Sequence, residues 1–128
     1  MKKIIDCITF FDENMLLDFR LNVLNDYVDF FVIVEAKEDH QGNQKKLNFN
    51  IENYKKYKHK IIYLVQEKIV IDENLKLPKN WAIDHLRDQS QRNYISRALN
   101  QFDEDDWIII SDLDEIPNPN AIFKFNPN

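Results

Sequence analysis

Four short apolar runs, each closed by polar residues, recur along this chain of 128 residues: Ile4–Phe10 within the stretch 3–11, then 30–34, 61–65 and Trp107–Ile110. They are rich in Ile and Val, which suits strands buried in a sheet. The segments between them follow a different period. Leu17, Leu21, Leu24 and Val28 recur at helical spacing, with Asp18, Asn22 and Asn25 on other faces. Asp12 or Asn14 can cap that helix. Residues 49–58 read as a short helix with Tyr54 and Tyr57 as packing residues. Residues 84–102 read as a long helix whose buried stripe is Ile95, Ala98, Leu99 and Phe102, with Arg87, Gln91 and Tyr94 on a second face. The stretches 37–46 and 69–81 read as a polar loop and an irregular connection. Strands alternating with helices predict an α/β fold with a mainly parallel sheet flanked by helices. The expected spatial order is third, second, first, fourth. That order places a topological switch point between the first and last strands.

The last run opens the most informative stretch, WIIISDLDEIPNP at 107–119. Its four apolar residues predict a strand buried on both faces, and Pro117 and Pro119 terminate the acidic segment after it. Asp112, Leu113 and Asp114 then sit at the carboxyl end of the sheet, where open α/β sheets place ligands. Side chains alternate in an extended segment, so Asp112 and Asp114 share one side while Leu113 points to the core. Two carboxylates so placed suit Mg²⁺ or Mn²⁺, hard cations that complete their shells with water and substrate phosphate. A plainer reading has these acids capping a turn before the prolines, and the spacing does not separate the two.

The same edge should collect residues 9–12, 35–40, 66–68 and 112–115. His40, in the polar loop, reads as solvated, as does the lysine run near residue 55. Arg87 and Arg92 could meet phosphate through a guanidinium fork or form surface ion pairs with Asp84 or Asp88.

Composition narrows the class. A length of 128 residues fits one domain at most, and hydrophobic content of 44% with charged content of 30% is that of an ordinary soluble globular protein. A net charge of −5 argues against a nucleic-acid partner. Cys7 stands alone, which excludes an intramolecular disulfide and a cysteine-rich zinc site. Gly42 is the one glycine, so neither a Walker A loop nor a G-x-G-x-x-G fingerprint exists here. The first residues resemble a signal peptide until Asp6 interrupts them, and no stretch is long enough for a membrane span. A soluble, cytoplasmic chain is expected.

Four segments resemble glycosyltransferase family 17: DCITFFDENMLLDFRLNVL (6–24), DFFVIVEA (29–36), RDQSQRNYISRAL (87–99) and DDWIIISDLDEIPNP (105–119). The resemblance implies a GT-A-like nucleotide-binding fold, with 1–128 as one donor-binding domain. It implies a metal-dependent, inverting transfer from a UDP-sugar, the family donor being UDP-N-acetylglucosamine, to a glycan acceptor. Asp112 and Asp114 would be the Mn²⁺- or Mg²⁺-handling D-x-D. Thr9, Phe10, Phe11 and Glu35 would line the nucleotide pocket with Asp112, and Arg87 or Arg92 would face the phosphates. Eukaryotic members carry a membrane anchor not matched here. Related enzymes also continue past the position of Pro119 through a second half with acceptor contacts and the base, so truncation after the D-x-D is expected. Glu115 is the nearest candidate base in what remains.

Two other readings compete. One is a nucleotide-sugar-binding fragment without turnover. The other is a haloacid-dehalogenase-like phosphatase, in which Asp112 would be the nucleophile and Asp114 the acid/base. Against it, Ile116 stands where that class usually has Thr or Val, and the motif falls at the end of the chain.

Overall fold

The computed structural model describes residues 2–69 and 83–124. The chain runs β1 (Ile4–Phe10), α1 (Asn14–Leu24), β2 (Phe30–Ala36), 3₁₀ turns over Ile51–Lys60, β3 (Ile61–Gln66), α2 (Ile83–Asn93), α3 (Ser96–Leu99), β4 (Trp107–Ile110) and α4 (Pro119–Lys124). All strand pairs are parallel and the order is β3-β2-β1-β4. This is the α/β sheet and the strand order expected from the sequence, consistent with a GT-A-like fold.

Period-two alternation divides the core into two layers. From β1 and β2, Ile8, Phe10, Phe31 and Ile33 join Leu17, Leu21 and Leu24 of α1, with Tyr54, Tyr57 and Leu113. On the other face, Ile5, Cys7, Val32 and Val34 pack with Ile95 and Ala98. Asp6 falls between Ile5 and Cys7, so it points into the α1 layer, and it is fully buried. No helix among the described residues is long and apolar enough to cross a membrane.

Four local expectations change. Trp107–Ile110 is not buried on both faces. It is an edge strand, in register with Ile4–Cys7 of β1, and Ile108 and Ile110 are 36% and 50% exposed. Their register partners Ile5 and Cys7 mark the face that α2 covers; α2 packs over β1 and β2. The helix over 84–102 breaks at Tyr94–Ile95. There the amides of Ile95, Arg97 and Ala98 each bond three residues back, which tightens the turn. The short helix is a pair of 3₁₀ turns, with Tyr54 off helical geometry (φ −130°, ψ 33°) and the Asn50 side chain accepting from the Glu52 amide. Neither Asp12 nor Asn14 caps α1: Glu13 holds that position, and its carboxylate accepts instead from the Phe11 and Asp12 amides. Most of the irregular stretch, 70–81, lies outside the described residues.

Gly42 has a positive φ of +88°, and a Cβ there would lie 2.8 Å from the Arg87 guanidinium. That guanidinium is tied to Glu38 by an ion pair of 2.9 Å, so it cannot simply swing away. Gly42→Ala should cost about 1–2 kcal/mol of stability in equilibrium denaturation. Burial, then the neighbouring Asp6 charge, pushes the Cys7 thiol up to about 12. At pH 8 the folded chain should react with a thiol reagent at least ~100-fold more slowly than the denatured chain.

Candidate functional site

A cleft of about 360 Å³ opens at the carboxyl edge of the sheet. The end of β1 contributes Thr9, Phe10 and Phe11, and the segment after β4 contributes Asp112, Leu113 and Asp114. These two strands are the neighbours at which the strand order reverses, so the cleft sits at the switch point. Glu13 and Leu16 close it from the start of α1, His40 from the loop after β2, and Asp88, Gln91 and Arg92 from α2.

Arg92 is the central cation. Its Nε donates to Asp88 Oδ2 at 3.2 Å, and its terminal nitrogen makes a short contact with Asp112 Oδ1. One guanidinium therefore bridges two carboxylates, and the surface pair with Asp88 is one half of that bridge. His40 is also placed by α2. The Gln91 amide nitrogen donates to the Val34 carbonyl at 3.3 Å, which turns Gln91 Oε1 toward His40 Nε2 at 3.2 Å. Asp88 Oδ1 lies 3.9 Å from the same ring nitrogen. Phe11 is 42% exposed, and the Lys45 ammonium lies 5.1 Å from its ring centroid.

Asp112 and Asp114 line the cleft, and Leu113 is buried between them, 6% exposed. The loop that carries them is closed internally. The Asp112 amide donates to Glu115 Oε1, and the Glu115 amide to the Asp112 carbonyl, both at 2.9 Å. The Arg20 guanidinium, fully buried on α1, reaches the carbonyls of Asp112, Leu113 and Glu115 from below.

Three predicted site residues lie elsewhere. Glu35 is buried rather than in the cleft. Its Oε2 accepts from Lys45 Nζ at 2.7 Å and the Asn48 amide at 2.6 Å, and its Oε1 from the Phe49 amide at 3.0 Å and the Tyr63 hydroxyl at 2.7 Å. A carboxylate so fully bonded is a structural anchor. Burial, reinforced by Glu35, pushes the Tyr63 phenol well above its ordinary range. Arg87 turns to Glu38 beside Gly42, because β2 and its following loop place that acid within reach. The Glu115 carboxylate holds the Asp112 amide, and Glu115 does not line the cleft.

Conversely, the periodicity and spacing of the chain do not single out Asp88 as a ligand-facing group, His40 as a wall of the cleft, or Arg20 beneath it. Arg20 has a signal of its own: it interrupts the stripe of Leu17, Leu21 and Leu24, just as Asp6 interrupts the first apolar run. Two opposite charges at core positions of neighbouring elements imply a buried pair.

The cleft thus offers oxygens suited to a hard cation and one arginine. Among the described residues, no three His, Cys, Asp or Glu side chains converge into a preformed cage. Two carboxylates that share a cleft with open volume still match what Mg²⁺ or Mn²⁺ takes from a protein when ligand phosphate supplies the rest.

A carboxylate-lined cleft at the switch point of a parallel sheet is where open α/β folds bind their ligands. Over residues 1–125 the chain matches the model of glycosyltransferase family 17, and it belongs to that family. It is 31% identical over 121 residues to the β-1,4-mannosyl-glycoprotein 4-β-N-acetylglucosaminyltransferases of Rattus norvegicus and Homo sapiens. The alignment covers 91% of this chain, and the chain spans 22% of the length of those relatives. No solved structure matches the chain significantly.

The structural role of Glu35 has a direct consequence. Glu35→Gln leaves the Lys45 ammonium beside a neutral amide and should destabilise the fold on the order of 3 kcal/mol in denaturant titrations.

Proposed function

We propose that this chain is the donor-binding part of a metal-dependent, inverting glycosyltransferase that uses a nucleoside-diphosphate sugar. The relatives' names, N-acetylglucosaminyltransferases acting on a mannosyl-glycoprotein, favour N-acetylglucosamine as the sugar and a glycan as the acceptor; UDP as the nucleoside diphosphate is part of the proposal. The observation that carries this reading is the meeting of Thr9–Phe11, Arg92, Asp112 and Asp114 in one cleft at the switch point.

The residues divide the work by charge. Asp112 and Asp114 would hold Mn²⁺ or Mg²⁺ together with the donor's diphosphate oxygens. When bound, the cation supplies positive charge that offsets the charge growing on the departing nucleoside diphosphate. Arg92 is already held at Asp112 by Asp88, so a phosphate arriving beside Asp112 meets a guanidinium in place. Phe11, 42% exposed, and Thr9 are among the residues that line the cleft and would contact the donor. His40, fixed by Gln91, stands on the wall contributed by the loop after β2.

Without a cation the diphosphate would lie against Asp112, Asp114, Asp88 and Glu13, a repulsive arrangement that Arg92 alone does not reverse. UDP should therefore bind at least ~10-fold more tightly with Mn²⁺ than with chelator, because a divalent cation held by Asp112 and Asp114 would offset the negative charge facing the diphosphate. Asp114→Ala and Asp114→Asn should both abolish most of that difference. Calorimetry on the three proteins checks this, and metal-independent UDP binding by the wild type would count against the reading.

A further inference from the structure

We infer that Arg20, through its buried pair with Asp6, is the positioning residue for the acidic loop at 111–115, and so for the cation and diphosphate assigned to that loop. The inference rests on the proposed function for its ligand and on the hydrogen bonds of Arg20 for its geometry.

Arg20 and Asp6 are both 0% exposed. Nε donates to Asp6 Oδ2 at 2.8 Å and one terminal nitrogen to Asp6 Oδ1 at 2.7 Å, a two-pronged pair that fixes the guanidinium plane. A pair needed only for the core would end there. Instead the same terminal nitrogen donates to Ser111 Oγ at 2.7 Å. The other one is directed wholly at the loop: to the Asp112 carbonyl at 2.9 Å, Leu113 at 3.2 Å and Glu115 at 2.9 Å. The Ser111 hydroxyl donates in turn to the Glu115 carbonyl at 3.1 Å.

Carbonyl oxygens gathered this closely repel one another unless a cation lies among them. The guanidinium takes that place from the inside, with Asp6 supplying the counter-charge. The peptide planes of 112–115 are thereby set, and with them the directions in which the Asp112 and Asp114 carboxylates leave the backbone. A cation that binds two carboxylates gains most when both are already aimed, since ordering them on binding weakens affinity. Lysine cannot substitute, because an ammonium lacks the planar fork that holds Asp6 on one side and carbonyls on the other.

The test uses the double variant Asp6→Leu with Arg20→Met, since replacing both partners of a buried pair by apolar groups commonly preserves the fold. Leu24→Val, buried at the far end of the same helix, is the control for general loosening. Hydrogen exchange at the Asp112 and Glu115 amides reads the loop, and Mn²⁺-dependent UDP affinity reads the site. The double variant should exchange those two amides at least ~10-fold faster, and bind UDP with Mn²⁺ about tenfold more weakly, while Leu24→Val changes neither. Unchanged exchange in the folded double variant overturns the inference; faster exchange with wild-type UDP affinity overturns its link to the ligand. If the double variant does not fold, Arg20→Lys, which keeps the charge and loses the fork, is read by the same two measurements. If the wild type binds no UDP, the proposed function fails, while the exchange data still decide what Arg20 does.

Discussion

The structure depends on one buried ion pair. Asp6 lies in the middle of the central strand β1, and Arg20 lies on the helix that covers it. Taking both charges out of water is costly, and the pair is tolerable because its geometry is two-pronged and the remaining guanidinium protons all find oxygen. Those oxygens belong to a segment more than ninety positions away in sequence. One interaction therefore joins β1, α1 and the loop after β4, the three pieces that meet at the cleft.

Glu35 follows the same logic on the next strand. It faces the same layer from β2, and it fixes Lys45 and the backbone at Asn48 and Phe49. Two interior carboxylates thus hold down two loops at the carboxyl edge. A chain with Gly42 as its one glycine has little access to tight, left-handed turns. Here the loops around the cleft owe their shape to charges anchored inside the sheet layer. Where the backbone does take a positive φ, at Gly42, the glycine also makes room for Arg87.

The cleft itself is under-neutralised. Arg92 is shared between Asp88 and Asp112, and Asp114 and Glu13 add negative charge on the same walls. Such a site repels an anion unless a cation accompanies it, which is the electrostatic condition for metal-assisted binding of a diphosphate. The proposed ligand rests on this charge arrangement together with membership of family 17. The chain spans 22% of the length of those relatives, and acceptor recognition is part of the proposal only.

What the sequence by itself determined was the sheet. Four apolar runs with helical periods between them were enough for a parallel α/β sheet, and the order β3-β2-β1-β4 expected for it puts Thr9–Phe11 and Asp112 at one edge. The runs and periods are local, written in consecutive residues. Tertiary structure alone decided which polar residues at that edge face the cleft. Glu35, Arg87 and Glu115 turn away because their partners, Lys45 and Tyr63, Glu38, and the Asp112 amide, capture them first. Asp88, Gln91 and His40 turn in because α2 packs over β1 and β2 rather than over β4, which also leaves Ile108 and Ile110 uncovered. A side chain's direction is set by the donors and acceptors that folding brings within about 3 Å. For Arg20 those oxygens lie on β1 and on the loop after β4, and no local pattern brings them together.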